Sequence, residues 1–297
     1  MFDSINVIEF TNKFNSKETC LKYLADIKWK DGYKCCRCSH ENYCKGKSDY
    51  SRRCTRCKYD ESVIRGTLFE KIKFSLVKAF HILFAVSTYK KGASSHHLSR
   101  TLGLRQPTCW AFRRKVTQAM KSSGKYKLKG SVEVDEFVIG GPEKGKQGRS
   151  KGKKRLVVMA VERNQHGIYR SYAKVINNSS SRELKSFFTE KIEIPAKIKT
   201  DKWRGYIPLK KAYKNLRQVA SKKGKNFTPL HRHIMLIKGW MRGIHHSVTG
   251  QHLQAYLDEF NFRFNRLKSI NSIFDTLLNR MVEHQPFPYK LFKISKT

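Results

Sequence analysis

Apolar positions recur at different periods in successive stretches of the chain, and the changes of period divide it. From Phe69 to about Met120 they fall three and four residues apart, as in "LFEKIKFSLVKAFHILFAVSTY", which places them on one face of a helix. "GASSHHLSRTLGLRQPTCWAFRRKVTQAM" then reads as two helices about a tight turn. Ser94 or Ser95 caps the first, Gly103 makes the turn, and Pro107 suits the first turn of the second. This predicts a helix-turn-helix whose second helix carries Gln106, Thr108, Trp110, Arg113 and Arg114 toward a major groove, with a plain helical hairpin as the alternative. After the polar, basic "KSSGKYKLKG" the period drops to two. "SVEVDEFVIGG", "RLVVMAVER" and "GIYRSYAKVI" read as strands, and "GGPEKGKQGRSKGKKR" between the first two reads as a long mobile hairpin loop. A helix over "SSRELKSFFTEKI", a short strand in "AKIKTD" and further helices complete an α/β unit with helices on a mixed sheet.

Before Phe69 the cysteines dominate. Residues 1–66 hold seven of the eight, including the C-x-x-C pairs Cys35/Cys38 and Cys54/Cys57. Two such knuckles about fifteen residues apart bring four thiolates to one tetrahedral ion, the pattern of a zinc ribbon, with Cys36 and Cys44 as spare thiols. The predicted organisation is a zinc ribbon over 1–66, a helical helix-turn-helix region over 67–125 and an α/β domain over 126–297.

Charge narrows the function. Lysine and arginine number 62 against 23 acids, a net charge of +39 spread over the whole chain, which points to a polyanion and above all to double-stranded DNA. The start "MFDSINVIEF" lacks a signal-peptide pattern, and the longest apolar run, "AFHILFAV", is far short of a membrane span. The expectation is a cytoplasmic protein with no membrane partner.

Two carboxylates carry the candidate chemistry. Alternation in "SVEVDEFVIGG" puts Asp135 on the face opposite Val132 and Val134, in mid-strand, where a carboxylate must be paired or bind a metal. Asp201 in "IKTDKWRGY" follows directly on a short strand, at the carboxyl end where α/β sheets place ligands. Two such aspartates on neighbouring strand tips can share divalent ions.

The order "CCRC…CTRC", "VEVDEFVIGGPEKGKQGRSKGKKRLVV", "TDKWRGY" and "KGWMRGIHHSV…HLQAYLDEFNFRFNR" closely resembles bacterial insertion-sequence transposases with an N-terminal zinc ribbon, the branch akin to the eukaryotic Merlin elements. The resemblance covers nearly the whole chain. It implies an RNase H-like fold for the last domain and Asp135 and Asp201 as the first two members of an acidic triad. It also implies Mg²⁺ as the working ion, with Mn²⁺ able to substitute. Binding of terminal inverted repeats, strand cleavage and strand transfer by a homodimer or larger assembly follow from it.

Aligned on the family pattern through Lys238, Trp240, Gly243 and His246, the third catalytic position, commonly Asn or Glu, falls on Leu236. Leucine cannot bind a metal. Three readings remain open: His233, three residues before Leu236, serves as an imperfect ligand; Asp258 or Glu259 reaches in from the next helix; or the protein is a decayed or domesticated transposase that binds DNA without cutting it.

Overall fold

The computed structural model describes residues 1–140, 154–245, 248 and 250–293. Local sequence sets several helix starts within them. In α1 (Val7–Lys13) the Asn6 side chain accepts from the Ile8 N–H, and α2 (Lys17–Lys28) opens on a capping box of Ser16 and Thr19. Each cap satisfies an amide that the first helical turn leaves without a partner. Three short strands follow, β1 (Tyr43–Lys45), β2 (Arg52–Cys54) and β3 (Asp60–Glu61), paired antiparallel in that order. Then come α3 (Leu76–Thr88), α4 (Ser95–Leu102) and α5 (Gln106–Ala119). Ser94 is the cap of α4, and Gly103, at φ +58° and ψ 45°, ends it in the left-handed conformation that glycine adopts without strain.

The second half begins with β4 (Ser131–Ile139), β5 (Arg155–Asn164) and β6 (Gly167–Ile176), followed by α6 (Ser181–Lys191), β7 (Lys197–Thr200) and β8 (Leu216–Gln218). It closes with α7 (Thr228–Ile244), α8 (Gly250–Phe264), α9 (Ile273–Glu283) and α10 (Lys290–Lys293). The lysine-rich segment read as a hairpin loop falls on 141–153, outside the described residues, while β4 and β5 on either side of it pair antiparallel over nine residue pairs, from Ser131↔Arg163 to Ile139↔Arg155.

Two compact units result, Met1–Ala119 with Ser269–Thr297, and Met120–Lys268. This redraws the boundaries read from sequence: the chain's last helices join the first unit. The reason is aromatic packing. Phe274 of α9 lies 5.3 Å from Phe10, 5.6 Å from Phe2 and Phe14 and 5.9 Å from Phe80, and Phe10 stacks on Phe84 at 4.2 Å. Neither α1 nor α2 could bury these rings alone.

In the second unit a five-stranded sheet runs in the order β6-β5-β4-β7-β8, antiparallel from β6 to β4 and parallel from β4 to β8. Val132 and Val134 face a core completed by Leu184, Phe187 and Phe188 of α6, whereas Phe137, Val157 and Met159 face α7 and α8 through Leu230, Ile237, Leu257 and Phe260. Strand β8 has no counterpart in the sequence reading, because three residues with one apolar side chain show no period.

The motif "HLQAYLDEFNFRFNR" has a structural task. Its amides cover the outer edge of β6: Gln254 accepts from the Val175 N–H (2.9 Å) and donates to the Ala173 carbonyl (3.2 Å), and Asn265 does the same for Ser171 (2.8 and 2.9 Å). An edge strand so covered cannot template a neighbour. Asp258 accepts from Gln254 at 3.0 Å, and burial pushes its carboxyl up to about 6. A folded-state pKa above the unfolded one means that the native state binds the proton more tightly, so stability falls as pH rises from about 4 to 6 and stays lowered above that. Asp258→Asn is expected to raise the melting temperature at pH 8 and leave it unchanged at pH 4. An equal shift at both would refute the assignment.

Among the described residues no helix is long and apolar enough to cross a membrane.

Candidate active site and metal centre

The register of β4 and β7 brings the two aspartates side by side. Val134 is opposite Thr200 in a parallel pair, so Asp135 and Asp201 occupy the next level of adjacent strands. Asp135 is largely buried, its side chain 17% exposed, and its Oδ1 accepts from the Glu136 N–H at 2.8 Å. Burial raises its pKa above the usual carboxylate range, two hydrogen bonds oppose that, and the nearby charge of Asp201 adds to it. Asp201 is held by its loop: its Oδ1 accepts from the Trp203 N–H (3.0 Å), and the Gln218 amide donates to the carbonyl oxygens of Asp201 (3.2 Å) and Trp203 (2.9 Å).

Helix α7 supplies the third group. His231 Nε2 lies 3.0 Å from Asp135 Oδ2, and the ring is seated against Gly224, where an added Cβ would stand 2.6 Å from Nδ1. Gly224 also has φ +86°, so its lack of a side chain serves both the turn and the histidine. Seven residues on, Lys238 returns to the same stripe of α7, with its Nζ 5.4 Å above the Phe137 ring on the Asp135 face of β4.

Neither residue proposed from sequence shares that stripe. Leu236 lies about 140° further round the helix from His231 and is 54% exposed. His233 is 3% exposed and packs edge-on against Phe264 (4.3 Å) and Phe260 (5.4 Å); burial holds its pKa down to about 4, so the ring is neutral. Glu259 is wholly buried in α8, and Asp258 is engaged with Gln254. His246, used to place the third position, lies outside the described residues. The signal for His231 was present: the apolar stripe Leu230, Ile234, Ile237 and Met241 fixes the buried side of α7, and His231 borders it whereas Leu236 does not.

The donors suit a hard divalent ion, because two carboxylates in a partly desolvated setting repel one another and a cation relieves that repulsion. Asp135, Asp201 and His231 do not all lie within 4.8 Å of one another; among the described residues only the cysteine quartet does.

That quartet has the geometry of a zinc site. Cys35 and Cys57 Sγ lie 3.6 Å apart, as do Cys38 and Cys54, close to the ~3.8 Å edge of a tetrahedron with Zn–S near 2.3 Å. The two knuckles repeat one backbone pattern. Ser39 and Lys58, each just after the second cysteine, have φ +57° and donate their N–H to the first cysteine's carbonyl at 2.9 and 3.1 Å. Cys36 and Cys44 are exposed and outside the cluster.

Two helices, α4 and α5, lie either side of the Gly103 turn, and their side chains are disposed differently from the sequence reading. Arg113 and Arg114 are buried, at 6% and 8% exposure. Gln106 donates to Ser95 Oγ at 2.8 Å, Thr108 is half-buried, and Trp110 packs edge-on against Phe292 at 6.0 Å. The exposed cations of this motif are Arg100 and Arg105.

Residues 127–265 match the model of a family described as ISXO2-like transposase domain. Among curated proteins none matches the chain. Among solved structures it is similar to a pre-cleavage Mos1 transpososome (10% identity, TM-score 0.30, over 70% of this chain and 79% of that one). It is also similar to a Mos1 strand transfer complex (11%, 0.31, 70% and 78%) and to Mos1 transposase in a paired-end complex with the left transposon end (12%, 0.23, 65% and 78%). The family match spans the whole sheet, both aspartates and helices α7 and α8, so that residues 127–265 are similar over that length to an ISXO2-like transposase domain.

Proposed function

We propose that this protein is a DDE-type DNA transposase in which Asp135, Asp201 and His231 form the cleavage site of an RNase H-like domain. The observation that carries the reading is the convergence of two aspartates from adjacent strand ends with a histidine bonded to one of them. The sheet, three antiparallel strands continued by two parallel ones, agrees with that fold. The net charge of +39 suits a DNA partner, with binding that weakens steeply as salt rises.

Asp135 and Asp201 would hold Mg²⁺ or Mn²⁺, which supply Lewis-acid stabilisation of the phosphorane charge and lower the pKa of attacking water. In the first step water oxygen bonds to phosphorus and the P–O3′ bond breaks, leaving a 3′-hydroxyl and a 5′-phosphate. In the second that hydroxyl attacks a target phosphodiester, with one P–O bond formed and one broken. The chain's part is to fix the carboxylates and exclude free rotation about them: Gln218 and the Trp203 amide hold the Asp201 loop, and His231 and the Glu136 amide hold the Asp135 oxygens.

The test is nicking of a duplex carrying the sequences that flank the gene, by purified protein in Mg²⁺ or Mn²⁺. His231→Ala is expected to slow it roughly 10- to 100-fold, as for other lost groups that orient a metal ligand. Gly224→Ala, which displaces the same ring without touching either aspartate, is expected to act in the same direction at a stability cost of about 1 kcal/mol. Leu236→Asn should change nothing. A rate gain from Leu236→Asn, or full activity in His231→Ala, would return the third position to where the alignment put it. Tight DNA binding with no nicking by any variant would favour a protein that only binds.

A further inference from the structure

The Val132 and Val134 face of the sheet, opposite to Asp135, is covered by α6 and by a 3-10 helix over Arg204–Lys211, and a groove of about 800 Å³ runs between these two. Ser181, Lys185 and Thr189 fall four residues apart on one flank of α6 and form its first wall; Pro208, Leu209 and Ala212 form the second. The turn between α6 and β7 closes one end with Ile192, Ile194 and Pro195. Much of this lining is aliphatic, and part of it lies open. Ile194 is 65% exposed, and Pro195, Pro208 and Ala212 are exposed as well. Four cations, Lys127, Arg182, Lys185 and Lys211, surround the groove against one acid, Glu193. Nearby cations are neutralised, since Lys174 and Lys191 share Glu190 at 3.0 and 2.8 Å. Among the described residues, Arg182, Lys185 and Lys211 have no carboxylate partner.

We propose that this groove docks an acidic segment of a partner protein carrying a row of apolar side chains: the aliphatic floor takes the row, and Arg182, Lys185 and Lys211 pair with the acids around it. Grooves of this kind bind a peptide by burying its apolar anchors centrally and pairing charges at the rim. DNA suits it less well. A phosphate gains nothing from covering aliphatic carbon, and the one aromatic ring of the lining, Tyr213, is buried at 4% exposure. A second copy of the chain would bring its own excess of 39 positive charges to a cationic rim. A flat bilayer cannot fill a concave groove. Because Asp135 lies on the sheet's other face, an occupied groove leaves that side open.

The experiment follows the fluorescence anisotropy of a labelled peptide of about 16 residues, rich in Glu with Leu at three- and four-residue spacing, as it binds the full chain. A twin with Ser in place of every Leu carries the same charge. Wild-type protein should bind the Leu peptide about tenfold or more tighter than the twin, because charge alone cannot tell them apart. Ala212→Arg should weaken Leu-peptide binding about tenfold or more although it adds a positive charge, since the longer side chain fills the floor. Lys185→Glu should weaken it roughly fivefold or more. Lys22→Glu, the same charge change at an exposed position of α2, should leave it unaltered.

Equal binding of the two peptides, or equal effects of Lys185→Glu and Lys22→Glu, would overturn the groove and leave only the general attraction of a basic protein. The melting temperature checks that each variant folds. Lys185 is exposed on α6, so Lys185→Glu carries every comparison if Ala212→Arg unfolds. In a folded groove variant, lost duplex binding would assign the groove to nucleic acid, lost sedimentation with phosphatidylserine vesicles to a membrane, and loss of a dimer in sedimentation equilibrium to a second copy; each would overturn the proposal. Nicking enters none of these measurements, so absence of cleavage with Leu-peptide recognition intact would remove the transposase reading and leave the groove.

Discussion

Asp201→Asn is expected to lower strand cleavage by about 10³-fold or more while leaving the fold and DNA binding intact. The asparagine oxygen can still accept the Trp203 N–H that Asp201 accepts at 3.0 Å, so the loop keeps its cap and only the charge is lost. Metal-assisted stabilisation of a pentavalent phosphorus is worth several kcal/mol, and each 1.4 kcal/mol is a factor of ten in rate, which sets the size of the loss. Asp135→Asn is expected to behave alike, because its amide can keep partners at Glu136 and His231. The stability change has the opposite sign. Burial and the facing carboxylate raise the Asp135 pKa, so without metal the ionised pair destabilises the native state at neutral pH, and replacing one member should raise the melting temperature. Raised stability, retained binding and lost cleavage together identify a functional pair. Lowered stability with lost binding would mean that the acids are structural.

The second large effect is expected at the cysteines. Purified protein should carry about one zinc per chain, and Cys54→Ser should remove it and unfold the segment between Tyr33 and Glu61. Cys54 is fully buried, and its sulfur approaches those of Cys38 and Cys57 within the quartet. The ribbon's sheet is three strands of two or three residues, too small to order itself against chain entropy, so metal affinity on the order of 10 kcal/mol supplies most of its folding free energy. Cys44→Ser is the control: Cys44 is exposed on β1, outside the quartet, and should leave the zinc in place. Limited proteolysis would show where order is lost. New cleavage should fall between the knuckles, while the aromatic cluster of Phe2, Phe10, Phe14, Phe80, Phe84 and Phe274 keeps the helices resistant. A ribbon resistant to protease without metal would overturn the assignment.

What the sequence determined by itself is what depends on near neighbours. The cysteine spacing within each knuckle brings its two thiols together because they are joined by two residues of backbone. The period of "SVEVDEFVI" fixes which face Asp135 takes because side chains alternate along any strand. Ser94 and Gly103 mark helix ends because a cap acts within one turn. Tertiary structure decided the rest, and in each case through contacts distant in sequence. His231 bonds to Asp135, ninety-six positions away, because α7 crosses β4 in one rotational phase; the apolar stripe of α7 sets His231 at the border of its buried side, and only the crossing turns that border toward Asp135. Arg113 and Arg114 looked like DNA contacts from their charge and helix, but they are buried, at 6% and 8% exposure. Phe274 places the chain's last helices in the first unit because only there do enough rings gather to exclude water from it, and that gathering brings together residues more than two hundred positions apart.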